Sequence, residues 1–472
     1  SAARRIYRGL AVEGDAEAMT RLGAALGGPE GAVWLRRAAA TGALAAMHAL
    51  SVALTRGEPP DPAEALVWLQ RAADAGWPAA QHDLGDRLRQ GVGLPKDEAG
   101  AVALYRPAAE AGFAPAMTQL GRCLSNGVGA PADPRAGAVW LQRAADAGHP
   151  DAMHDLARAY TTGRGVPQDV PRARALLERA AAAGHVEAMA VLGLVLRGLG
   201  GDEARRGLDW LRRAAEAGDG EAMVSLGDEL LKEGESRAAV EWFERAAEAG
   251  LAEAMARLGL CYLEGRGVAR DLARAARCYR AAAERGVVGA MWSYGKLIAQ
   301  GRVSGEDPEG AHAWYERAAR AGHVGAMLAL GAHLAKAHDE PADAAGWFRR
   351  AAEAGSVEGM FNLAELAAFG RGADPGEAEG WYRRAIEGGS TIAMHRLGIL
   401  IYKRGPAAQV EAVALWRRAA EAGYSPAMVT LGDALGRGLG APADPVEARR
   451  WLERAAKAGE AEAEPILERL GR

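Results

Sequence analysis

Histidine is the residue type in this chain best suited to chemistry, and there are ten. Four of them, His48, His82, His154 and His395, recur at one place, after Met47, Gln81, Met153 and Met394. Three more, His149, His185 and His323, each follow a glycine. Imidazole can bind a metal or move a proton near neutral pH. Helical metal binding needs a pattern such as His-Glu-x-x-His, and none of these histidines has it. Nucleophilic catalysis needs a Ser or Cys set beside the base, and local sequence places none there. No metal, cofactor or catalytic group is therefore expected. Cys123, Cys261 and Cys278 are too few and too scattered for a zinc site or a disulfide framework, and read as buried apolar thiols. The Gly-x-Gly stretches at Gly91-Val92-Gly93, Gly127-Val128-Gly129, Gly163-Arg164-Gly165 and Gly438-Leu439-Gly440 look superficially like phosphate cradles. Each follows a helix rather than a strand and lacks a trailing Lys-Ser/Thr, so each is read as a turn.

The elements that carry these residues repeat. Glycines before an Ala-Met pair or its variant fall at 14, 42, 76, 112, 148, 184, 218, 250, 286, 322, 355, 389, 423 and 459, with 36 the commonest spacing. Periods of this size mean stacked helix pairs. The first helix of each unit reads Ala-Met-x-x-Leu-Gly, and its glycine lets a neighbouring helix come close. The second helix often opens on Asp-Pro, at Asp61, Asp133, Asp307, Asp374 and Asp444, with Asp as the cap and Pro in the first turn. It ends in Ala-Ala-Glu-Ala-Gly or a variant, a natural helix stop. Residues 1–13 are expected to form a half-repeat or cap helix, 14–458 an array of thirteen repeats, and 459–472 a capping helix, with no linker dividing the array.

Composition narrows the function. With 49% hydrophobic and 25% charged residues over 472 positions, the chain is not disordered. A net charge of −4 gives no reason to expect nucleic acid, and no apolar run is long enough for a membrane span. The compartment stays open: cytoplasmic, or periplasmic if a leader preceded Ser1.

The combination of Ala-Met-x-x-Leu-Gly, Gly-x-Gly-Val, Asp-x-x-x-Ala and Trp/Tyr-x-x-x-Ala-Ala-Glu-x-Gly, as in residues 250–286, resembles the Sel1-like repeat family over essentially the whole chain. The resemblance implies an all-α, right-handed superhelical solenoid of about thirteen antiparallel helix pairs, related to tetratricopeptide repeats. It also implies a scaffold or adaptor that holds a partner protein or peptide. A cysteine-rich branch of that family is linked to β-lactam binding and hydrolysis. Where that branch has cysteines, this chain has alanines such as Ala247 and Ala254, which leaves the enzyme as an alternative reading and a self-assembling structural subunit as another.

By analogy with tetratricopeptide repeats, the residue after Met and the one after Leu-Gly face a concave groove. These columns give His48, His82 with Asp86, Thr118 with Arg122, and His154 with Arg158. After an apolar stretch that includes Ala190 and Leu194 come Trp292 with Lys296, Phe361 with Glu365, and His395. The candidate partner-binding residues among them are His48, His82, Asp86, Arg122, His154, Arg158, Trp292, Lys296, Phe361, Glu365 and His395, with Trp292 and Phe361 as aromatic anchors.

Trp34, Trp68, Trp140, Trp210, Trp242, Trp314, Trp347, Trp381, Trp416 and Trp451 read as one repeat position in the seam between units. The arginines before Ala-Ala, such as Arg212-Arg213 and Arg349-Arg350, read as partners of a glutamate three or four residues later in the same helix. Pro107 is expected to kink or end its helix.

Overall fold

In the repeat that starts at Trp77, Pro78 opens a first helix, Pro78–Gln90, whose Ala80, Leu84 and Gly85 are buried. Gly91 ends it in the left-handed conformation at φ +74°. Asp97 then starts a second helix, Glu98–Glu110, by accepting a hydrogen bond from the Gly100 N–H. Tyr105 is fully buried on that helix. A methyl group on Gly85 would lie 2.6 Å from the Tyr105 ring, so the two helices touch where the first has no side chain. Gly259 makes the same close approach to Tyr279, and Gly331 to Phe348.

The computed structural model describes residues 2–57, 59–302, 310–337 and 341–470, and repeats this pair along the chain. Contacts divide it into two units, residues 1–233 and 234–472. The division falls inside one repeat, between the helices Gly220–Glu233 and Ser236–Glu248, where the sequence carries no linker signature. In the first unit, the helix Ala2–Val12 precedes six complete pairs, from Ala16–Leu26 with Gly28–Ala40 to Val186–Arg197 with Gly201–Glu216. In the second unit, six pairs run from Ala252–Glu264 with Leu272–Glu284 to Ser425–Arg437 with Pro445–Lys457, and the helix Ala463–Leu470 follows. The architecture is an all-α array of helix pairs, as the periodicity requires.

Asp61, Asp133 and Asp444 cap second helices through the N–H groups of Glu64, Ala136 and Glu447. Asp374 differs: it caps a 3-10 turn, Pro375–Glu377, through the Gly376 N–H, and the α-helix starts only at Ala378. Asp307 lies outside the described residues. Asp97, Asp169 and Asp271 cap without a proline directly after them.

The second glycine of the Gly-x-Gly turn packs repeats together. A methyl group on Gly129 would sit 2.1 Å from the Glu98 carbonyl oxygen, at the start of the preceding repeat's second helix. Gly165 meets Pro134 and Gly267 meets Ser236 in the same way.

Two expectations need correction. The helix Glu98–Glu110 runs through Pro107 and stops in register with the helices that end at Asp74 and Asp146. A proline in the last turn forfeits one backbone donor without ending the helix. Trp416 does not share the tryptophan position. It stands one residue later, where other repeats have Tyr105, Tyr279 or Phe348, and its indole N–H donates to the His395 carbonyl at 3.1 Å. Among the recurring tryptophans, Trp314 is buried and Trp34, Trp68, Trp140 and Trp210 pack half-buried against the core, while the residue after each fills the seam between the two helices of a repeat, where Leu35, Leu69, Leu211 and Phe243 are all fully buried.

Candidate partner-binding surfaces

The first helices set the geometry of the candidate residues. Met19, Met153 and Met428 are buried, so the residue after each is rotated about 100° toward the edge of the core. The residue after Leu-Gly stands four positions later, on the same face.

In the first unit this face carries successive polar clusters. Asp83 lies between two imidazoles from successive repeats, 2.8 Å from His48 Nε2 and 2.9 Å from His82 Nδ1. Burial alone would raise the Asp83 carboxyl, but the bonds from His48 and His82 outweigh it and hold the group well below the usual carboxylate range. His82 Nε2 is 3.7 Å from Asp86, which accepts a 2.6 Å bond from the Tyr105 hydroxyl. Burial, and then that bond, push the Tyr105 phenol up. The hydroxyl nearest in sequence to His48 is Ser51, which is buried and donates to the His48 carbonyl rather than to its ring. This is a structural arrangement rather than a nucleophile–base pair.

Further along, Thr118 and His149 Nδ1 are 3.1 Å apart. Arg122 Nε bonds buried Asp155, and Arg158 reaches the other oxygen of the same carboxylate at 3.0 Å. His154 stacks on His185 with centroids 5.0 Å apart. Burial, and then the facing His185, push His154 down, so it favours the neutral ring. His154, His185 and Glu187 bring three potential ligand atoms within 4.8 Å of one another. His185 Nδ1, however, accepts a 3.0 Å bond from the Ala188 N–H as a helix cap. That puts the neutral ring's proton on Nε2, and a metal there would have to undo the cap.

In the second unit, Trp292 is half-buried and stacked on His323 of the next repeat at 5.2 Å, with the Lys296 ammonium 4.9 Å from its ring. Its indole N–H is buried against Gly325, with no hydrogen-bond partner among the described residues. Phe361 leans on Tyr382 at 6.2 Å. The Tyr382 hydroxyl donates to Glu365, which also lies 3.5 Å from Arg396. His395 is buried, with Nε2 2.9 Å from Thr430 and its ring 5.5 Å from Tyr424.

One rule organises these contacts. The residue after each repeat's leading glycine sits on the residue after Met in the repeat before it: Phe113 on His82, His149 on Thr118, His185 on His154, His323 on Trp292, Tyr424 on His395. Reading the two columns together in the sequence would have found these pairs. Reading them apart left out His185, whereas Asp83 and Asp155 stand one residue beyond His82 and His154, outside both columns.

The second helices present a different belt. Arg37, Arg71, Arg143, Arg213, Arg245, Arg317, Arg350, Arg384 and Arg454 each lie over the tryptophan three residues earlier, 4.2–5.1 Å from its centroid. The preceding arginine often crosses to the next repeat: Arg36 to Glu64, Arg349 to Glu377, Arg383 to Glu411 and Arg417 to Glu447. Glu64, Glu377 and Glu447 also accept the indole N–H of Trp68, Trp381 and Trp451. This corrects the in-helix pairing expected for Arg213, Arg349 and Arg350.

Comparison with known proteins agrees with this geometry. The Sel1 repeat family model matches twelve segments: residues 44–77, 78–113, 114–149, 150–185, 186–219, 220–251, 252–287, 288–323, 325–356, 357–390, 391–424 and 425–460. Among solved structures, the chain is similar to c5321, a protective antigen of uropathogenic Escherichia coli strains with an SLR fold. The identity is 25%, coverage is 93% of this chain and 90% of that one, and the TM-score is 0.66. A Sel1 repeat protein from Oxalobacter formigenes is 26% identical, over 71% of this chain and 90% of that one, with a TM-score of 0.41. An immunity protein from Pseudomonas aeruginosa is 26% identical, over 41% of this chain and 74% of that one, with a TM-score of 0.31. A search of curated proteins found no significant match.

Proposed function

The chain belongs to the Sel1 repeat family, and on that premise we propose that it is a non-enzymatic scaffold holding a segment of a partner protein along the face of its first helices. The observation that carries this reading is the helix Val186–Arg197 and its exit. Val191 (39% exposed), Leu194 (49%) and Val195 (39%) lie at helical spacing on one side of it, and Leu199 (59%) follows in the turn after it. Large apolar side chains left together in water favour a partner that covers them. The neighbouring first helix Pro150–Thr162 supplies His154 and Arg158, and His154 lies 3.9 Å from Glu187 of the Val186–Arg197 helix. An apolar stripe with a polar flank suits a peptide or protein segment.

Affinity capture from a lysate of the source cells tests this reading, using the intact chain, a Leu194→Asp/Val195→Asp variant and a Trp292→Ala/Phe361→Ala variant, all with unchanged helical circular dichroism. A partner kept by the intact chain and lost by the Leu194/Val195 variant is the expected result. Loss with the Trp292/Phe361 variant instead would move the anchor to the second unit. Equal recovery by all three refutes binding on the first-helix face.

A further inference from the structure

One cavity in the first unit narrows the chemistry of that partner. It measures about 380 Å³ and is lined by Arg122, Arg158 and Arg164, with Ser125, Asn126 and Thr162 among the polar side chains and Asp155 as its acidic group. Asp155 is 5% exposed and holds two of the guanidiniums, Arg122 through Nε and Arg158 through Nη2. Arg122 also passes 3.7 Å from Asp151. Arg164 donates to the Ser125 carbonyl at 2.7 Å and has no ion pair among the described residues. Three fixed positive charges therefore face Asp155 and the more distant Asp151, an excess of positive charge in a cavity wide enough for a small acidic group.

The arrangement is built before any ligand arrives. Asp155 pins Arg122 and Arg158, so less side-chain freedom remains to be lost on binding. Arg158 uses one nitrogen on Asp155 and its side chain is 64% exposed, which leaves donors directed at the cavity. Guanidinium forks match carboxylates in shape and charge. The Val186–Arg197 helix with its apolar stripe belongs to the next repeat after Pro150–Thr162.

We propose that this cavity receives the carboxylate of an aspartate or glutamate in the partner segment, whose neighbouring apolar side chains lie on Val191, Leu194 and Val195. The inference rests on reading the first-helix face as the partner surface. It adds a requirement for an acidic residue.

The test is selection of randomised, phage-displayed peptides against the intact chain and against an Arg158→Gln/Arg164→Gln variant. Both arginines are exposed, and Arg122, which bonds the buried carboxylate, is left in place so that the variant folds. Peptides selected by the intact chain are expected to carry Asp or Glu beside apolar residues. By fluorescence anisotropy, the best of them should bind about tenfold more tightly than its acid-to-amide counterpart. The variant should keep the apolar preference and lose the acidic one. Apolar peptides without an acidic preference overturn this inference and leave the proposed function standing. An acidic preference that survives in the variant overturns the cavity assignment. Failure of the intact chain to select any peptide overturns both.

Discussion

Replacing His395 by glutamine should remove a pH dependence from the helix Thr391–Tyr402. The ring is buried, and Thr430 donates its hydroxyl proton to the Pro426 carbonyl, so His395 Nε2–H is the donor to Thr430. Burial first, and then the Arg396 guanidinium, push His395 down to about 4 from 6.5. The folded state thus holds the neutral ring, and the unfolded segment takes up the proton first. Stability is full above pH 6.5 and falls as pH drops toward 4. Between pH 7.5 and pH 5 the loss from this one group is about 2 kcal/mol. Hydrogen-exchange protection of the Thr391–Tyr402 amides, corrected for intrinsic rates, reads it directly. The His395→Gln variant has no such titration, so its protection should vary less with pH by about that amount, whatever its starting level. Parallel pH profiles for the two proteins would refute the argument that burial of a neutral imidazole sets the dependence.

Two further substitutions probe the helix seam and the second-helix belt. Gly85→Ala places a methyl group 2.6 Å from the Tyr105 ring, and overpacking of this kind costs about 1–3 kcal/mol, to be read as a lower urea midpoint for the first unit. An unchanged midpoint would mean that the ring moves aside freely. Glu377→Gln breaks the 2.7 Å pair with Arg349 and weakens the 3.2 Å acceptor for Trp381. Both charged partners are solvent-exposed, so only a small drop in melting temperature is expected, and it should shrink further in high salt. A large, salt-independent drop would show that the belt works by packing rather than by charge.

Much of the fold was legible because its signals are local. Asp61, Asp133 and Asp444 cap helices because an extended Asp reaches an N–H three residues on, wherever the helix ends up. The glycine after Leu in Gly85 and Gly259 marked the close approach, although only the structure shows which ring fills the gap. Trp416 misled because a one-residue shift at the end of the helix Pro406–Glu421 exchanges the belt position for the core position. In a helix that is a 100° rotation, and composition does not register it.

The sequence by itself determined the helices, their caps, the repeat period and the two columns on the first-helix face, because each depends on spacing within one repeat. Tertiary structure decided who meets whom across repeats. Asp83 lies between histidines of two repeats, one of them 35 residues away. Arg349 has Glu353 four residues ahead in its own helix, yet pairs with Glu377, 28 residues away. Those choices depend on how one repeat is set against the next. That offset rests on contacts between repeats, such as Gly129 against the Glu98 carbonyl and Gly165 against Pro134, and it belongs to no single repeat's sequence.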